Sequence, residues 1–214
     1  MGLAGVGFLS ALIWERLKPQ LPSYKIFKFE TVKVDKTGAV IEFISSQVES
    51  LIYVLKDEIT IEMLGIPAGK FLMGSNELEK EKPIHEVAIP SFFMGKYAVT
   101  NAQWQSLMGN LPLSQIKNPE LYKVFQDKNQ PVVGVTWNEA NTFCKKLSEK
   151  IKQNVRLQTE AEWEYACRSG TTTPFCYGET IRDNLVNYNG NQPYGQAPKG
   201  DYRGKTINVS SFSP

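Results

Sequence analysis

Histidine is nearly absent from this chain of 214 residues, which holds only His85. Cysteine is scarce as well: Cys144, Cys167 and Cys176 stand far apart, without any CxxC spacing. These shortages argue against the usual zinc sites, which draw on clustered thiolates and imidazoles, and an odd number of cysteines cannot all pair within one chain. An excess of one charge is also missing. Lys and Arg total 24 against 22 for Asp and Glu, with no run of five or six like charges, so neither a nucleic-acid-binding stripe nor an acidic tail is indicated, and no nucleic-acid partner is expected. The uncharged apolar stretch Gly2–Trp14 is shorter than the roughly twenty residues that span a bilayer as a helix. It is no convincing signal peptide either, because a basic leader and a small-x-small cleavage site are lacking and Glu15, Arg16 and Lys18 follow at once. It reads as a core or interfacial helix, as the tail of a longer membrane anchor, or as an artefact of start-site choice. The expected location is cytoplasmic or membrane-associated, with any attachment through residues 1–18.

What is present suffices for a real core. Hydrophobic residues make up 42% of the chain, enough for one domain with an extension. After the linker Pro19–Pro22 the pattern turns to alternation. Ile26 to Val34 reads as a strand, Asp35–Gly38 as a turn and Val40–Ile44 as a returning strand, with shorter strands at 51–55 and 59–64. Breakers at Gly65, Pro67 and Gly69 precede a strand at Phe71–Met73, and residues 85–99 read as a buried strand pair. Residues 110–130 read as a surface excursion that holds at most one short helix.

Three stretches carry the grammar of a capping box, in which a Thr hydroxyl accepts from the third helical N–H and the side chain there reaches back. These are Thr100 with Gln103, Thr136 with Glu139 and Thr159 with Glu162. The second opens a helix with an apolar stripe at Ala140, Phe143, Cys144, Leu147 and Ile151. The third opens a short helix closed near Gly170, with Ala161, Trp163, Tyr165, Ala166 and Cys167 as its apolar contacts and Trp163 as a core anchor. Cys144 and Cys167 read as buried structural thiols, Cys176 as the most exposed. A lone His85 beside a strand reads as a hydrogen-bonded structural residue in preference to a base. Residues 171–214 are rich in Gly, Asn, Thr, Pro and Tyr and predict little regular structure.

The stretch Arg156–Gly170, RLQTEAEWEYACRSG, resembles the signature of the formylglycine-generating enzyme family, the sulfatase-modifying factors, with Gln158 where that pattern usually has Pro. The likeness extends through Ile66–Ser75, Lys82–Trp104, Gln130–Lys150 and Val186–Gly190. It implies an α+β fold related to C-type lectins, poor in regular secondary structure. The expected organisation is an apolar segment and linker at 1–22, a β-rich lead-in at 23–58 and a partial family domain at 59–214. The family oxidises a cysteine of a protein or peptide substrate to formylglycine, using oxygen and a copper ion on two thiolates, a ligand pair suited to Cu(I). Those cysteines belong to a C-terminal segment near R-G-G-S-W and G-N-V-W-E-W motifs, and neither motif occurs here. The expectation is an incomplete domain without turnover and without a catalytic residue of its own; the alternatives are a non-catalytic lectin-like binding module, as in bacterial relatives without the copper cysteines, or a truncated remnant. In secreted relatives the cysteines matching Cys144 and Cys167 form disulfides with the C-terminal part. The resemblance also implies one structural calcium, held by the Asn187 side chain, the Tyr188 carbonyl, Asp201 and the Arg203 carbonyl. Hard oxygens from a Gly/Asn-rich loop suit that ion, while a reading of Asn184, Asn187 and Asn189 as plain turn residues stays open.

Overall fold

The computed structural model describes residues 21–112 and 123–212. The expectations for residues 1–20, membrane attachment included, and for the middle of the 110–130 excursion lie outside the described residues. Two long strands, β1 (Ser23–Val34) and β2 (Val40–Lys56), form an antiparallel hairpin. Its turn is fixed locally: the Asp35 carboxylate accepts from the Thr37 and Ala39 N–H groups, and Gly38 takes φ 81°. The two strands expected at 40–44 and 51–55 are in fact one strand of 17 residues. The intervening polar run Ser45–Ser50 is held extended by β1 alongside, with Ser46 opposite Phe29 and Val48 opposite Phe27; cross-strand pairing overrides its weak strand preference.

The strands β3 (Ile59–Ile66) and β6 (Phe92–Gly95) complete a sheet in the order β1-β2-β3-β6, while β4 (Gly69–Met73) and β5 (His85–Ile89) pair separately. All three capping boxes form. They open α1 (Asn101–Met108), α2 (Trp137–Ile151) and α3 (Glu160–Arg168). The α2 stripe lies as the spacing predicts, with Phe143, Cys144, Leu147 and Ile151 buried. With Trp104 of α1, the side chains of Phe143, Leu147 and Ile151 cover one face of the sheet, meeting Tyr53, Leu55 and Ile61. The Trp104 and Phe143 rings lie parallel, 5.4 Å apart.

The third helix departs from expectation. Trp163 is 53% exposed and Cys167, one turn on, is exposed too, so these two of the five expected apolar contacts face solvent, while Ala161, Tyr165 and Ala166 are half-buried. The helix docks through Tyr165, one of the expected contacts, whose ring contacts Phe71 at 5.4 Å and whose hydroxyl donates to Pro67 O, and through polar pairs to the end of β4. Glu164 accepts from Gly74 N–H, and Arg168 donates to Gly74 O and to Glu164. A helix this short is oriented by a few specific hydrogen bonds as effectively as by a stripe.

Residues 171–212 contain little regular structure, as expected, yet they are tied down. Gly178 (φ 128°) lies against the Val34 backbone, where Val34 N–H donates to Tyr177 O, and any side chain at 178 would collide with Val34 O. Thr180 is fully buried and donates to Tyr194 O; Tyr194 meets Phe175 edge-on. Among the described residues no helix is long and apolar enough to cross a membrane.

Candidate functional site

The helices cover one face of the sheet. Its other face floors an apolar trough of about 1140 Å³. Strand alternation puts Phe27 and Phe29 on this face, where their rings stack at 5.5 Å, beside Val48, Leu64 and Ile66. The opposite wall comes from the irregular C-terminal segment: Leu185, Val186, Ile207, Val209 and Phe212. The end of α3 closes one side with Tyr165 and Ser169. The far wall is positioned by long-range hydrogen bonds, Val209 N–H to Asn129 O and Gln130 Nε2–H to Thr206 O. Concave, mostly apolar surface with a few polar groups is the form that ligand sites take.

One charged cluster sits at the edge of this floor. Glu62 accepts from the Ser50 hydroxyl at 2.7 Å and pairs with Lys25 at 3.0 Å and Lys96 at 3.3 Å. Burial works against its ionisation, but Ser50, Lys25 and Lys96 outweigh it and hold the carboxyl below its ordinary value. Lys96 Nζ in turn lies 3.6 Å from the Phe27 ring centroid and 5.2 Å from that of Tyr97, so it is fixed as a cation over the aromatic floor. Sequence reasoning missed this cluster. A lone carboxylate inside the apolar run ITIEMLGI was the available signal, since a charge there needs partners.

The four residues expected to hold calcium fall on two segments that run side by side. Asn189 bridges antiparallel to Tyr202, Gly190 N–H donates to Asp201 O and Gly200 N–H to Gly190 O. Asn187 donates through Nδ2 to Lys205 O, an anchor that leaves its Oδ1 as the free acceptor of the amide. Tyr188 O accepts from Gly190 N–H. The Arg203 guanidinium turns away to Asp183 O and to the Phe212 ring, which joins this loop pair to the trough wall. The nearby Asp183 carboxylate is engaged by Asp201 N–H, which holds it below its usual value. An amide oxygen, carbonyls and the carboxylate of Asp201, carried on adjacent loops, are a donor set that suits a hard cation.

Cys144 is buried in α2, Cys167 ends α3 and Cys176 lies in the following loop. Crowding by protein atoms pushes all three thiols up, for Cys176 with a further rise from Cys167. His85 is exposed at the start of β5, and its Nδ1 donates to Pro83 O at 2.9 Å, a structural bond.

Sheet, capped helices and anchored loops define a loop-rich α+β domain with an open trough on one sheet face. The family model described as Sulfatase-modifying factor enzyme 1-like domain matches residues 54–214. This chain belongs to that family, and its homologues include formylglycine-generating enzymes. It is 26% identical over 204 residues to the formylglycine-generating enzyme of Bos taurus, covering 72% of this chain and 53% of that protein. It is 34% identical over 145 residues to the serine/threonine-protein kinase pkn1 of Chlamydia caviae, covering 59% of this chain and 22% of the kinase. The chain thus spans at most about half the length of these two relatives. Two solved structures share the fold at 23% identity. Treponema denticola variable protein 1 aligns with TM-score 0.56 over 77% of this chain and 72% of its own, and PvdO from Pseudomonas aeruginosa with 0.52 over 76% and 69%.

Proposed function

We propose that the described part of this chain is the substrate-binding part of a formylglycine-generating-enzyme-type domain, one that takes an extended protein segment in the trough and supplies none of the reacting groups. The observation that carries this reading is the trough itself: an apolar floor of Phe27 and Phe29, a fixed cation at Lys96 and a wall from residues 185–212. Such a floor buries apolar side chains of a peptide, and the Lys96 ammonium orients its carbonyls or carboxylates. A peptide bearing the C-x-P-x-R sulfatase motif is the probe. Titration calorimetry should detect its binding, and Phe29→Ala should weaken it about tenfold, the equivalent of about 1.4 kcal/mol, while Trp163→Ala on the far side of α3 leaves it unchanged. No binding up to about millimolar peptide, or equal binding by Phe29→Ala, overturns the reading. Copper-dependent conversion of the peptide cysteine to an aldehyde by this chain would overturn its non-catalytic part.

The loop pair at 187–190 and 200–205 is read as a structural calcium site, with Asn187 Oδ1, the Tyr188 and Arg203 carbonyls and Asp201 as ligands. Its role is to brace the segment that carries the trough wall. The alternative of a lectin-like binding module, with no enzyme relation at all, draws its support from the same trough, and the same peptide titration separates the two: a lectin-like module has no preference for the sulfatase motif over a scrambled peptide.

A further inference from the structure

Among the described residues β1 stands at the edge of the sheet and pairs with no strand but β2. Its outer edge therefore presents backbone N–H and C=O groups to any strand that arrives. Natural edge strands are commonly short, bulged or broken by Pro. This one runs for 12 residues, Ser23–Val34, without Pro or Gly, and its only register shift falls at Lys33/Val34. Val34 N–H faces away from β2, because it donates to Tyr177 O. Alternation then places the N–H and C=O of Ile26, Lys28, Glu30 and Val32 on the same open edge. Their side chains lie on the sheet face that carries the helix core, but α1 and α2 reach only the far end of the hairpin. Ile26 is 44% exposed, and Phe43, opposite Val32, is 66% exposed.

A second copy of this strand, running antiparallel about a two-fold axis at Phe29, satisfies the edge in one register. Lys28 then faces Glu30 of the second copy, and Glu30 faces its Lys28. Ile26 faces Val32 on either side, which brings the bare Ile26 and Phe43 into one apolar band. A slip that moves the axis by one residue sets Lys28 against Lys28 or Glu30 against Glu30, and like charges directly opposite are unfavourable. On the other face Phe29 meets its copy, and Lys25, which falls opposite Lys33, is drawn to Glu62 at 3.0 Å, a carboxylate it shares with Lys96, so this like-charge pair is offset only in part. Beyond residue 33 the turn around Tyr177 ends the pairing. We propose that this chain forms a two-fold homodimer through antiparallel pairing of β1 with β1 of a second copy, in the register that sets Lys28 against Glu30. The interface isologously joins two four-stranded sheets and leaves both troughs open.

Sedimentation equilibrium of the full chain tests this, with circular dichroism to confirm that each variant is folded; Lys28 and Glu30 are both exposed and free of structural partners in the core. The expected result is a reversible dimer that Lys28→Glu and Glu30→Lys each weaken about tenfold or more, because each places like charges opposite one another twice. The double variant Lys28→Glu/Glu30→Lys should regain the wild-type dissociation constant. A chain that stays monomeric up to about 100 µM, a dimer indifferent to the single reversals, or a double variant as weak as the singles overturns the proposal. Because peptide binding is read separately, loss of the dimer and loss of the trough function are distinguishable.

Discussion

Glu162 is the most consequential single carboxylate in the described fold. It is 5% exposed, closes the capping box of α3 and meets Arg156 in a two-point pair at 2.6 and 2.7 Å. Arg156 is the main cause that holds its pKa at about 2, below the ordinary 4.5. A depressed carboxylate stabilises the fold fully above about pH 5, and that contribution is withdrawn as pH falls toward 2. Since the Arg156 side chain is 54% exposed, solvent screening reduces the effect to about 2 kcal/mol. Urea denaturation at pH 7 and pH 3 should show part of this loss in the wild type, because pH 3 still lies above the folded-state pKa, and Glu162→Gln should remove that part of the pH dependence while lowering stability at pH 7. Two tryptophans give a second contrast. Trp104 is 3% exposed and stacked on Phe143, so Trp104→Ala should cost about 3–5 kcal/mol. Trp163, half-exposed on the outer side of α3, should cost under about 1 kcal/mol when changed to Ala. Equal losses at the two sites would contradict the packing described.

At the scale of elements, the helices were more legible than the strands. Each capping box is a contact between residues three apart, so Thr100/Gln103, Thr136/Glu139 and Thr159/Glu162 announce their helices from local chemistry alone. The α2 stripe could be read for the same reason. Trp163 misled because bulk and hydrophobicity say that a side chain prefers burial, whereas the face α3 buries was decided by Tyr165, Glu164 and Arg168 meeting residues about ninety positions away. Likewise Ser45–Ser50 became strand only because β1 lies beside it. The paired loops at 187–190 and 200–205 allow a test at this scale. Calorimetric titration with calcium should give heat for the wild type and none for Asp201→Ala; identical heats would exclude Asp201 from a calcium site. Replacing the Thr159 cap by Ala should cost about 1 kcal/mol, read as a lower denaturation midpoint with unchanged slope.

For the molecule as a whole, the family and the α+β architecture were legible from ordered motifs, but the trough was not. Its floor belongs to residues 27–66 and its wall to residues 185–212, and no local pattern states that two segments so distant in sequence will face each other. The Glu62 cluster shows the same limit, since Lys25, Ser50 and Lys96 converge on it from three different strands or strand ends. This division also orders events during synthesis. All four strands of the sheet and the three capped helices precede residue 185 in the chain, so the strand pairings need no partner from the later loops. The aromatic floor at Phe27 and Phe29 then stays uncovered until residues 185–212 have followed, a window in which exposed apolar surface attracts chaperones or other nascent chains. A purified chain that ends near residue 180 should therefore bind a hydrophobic dye more strongly than the chain of 214 residues.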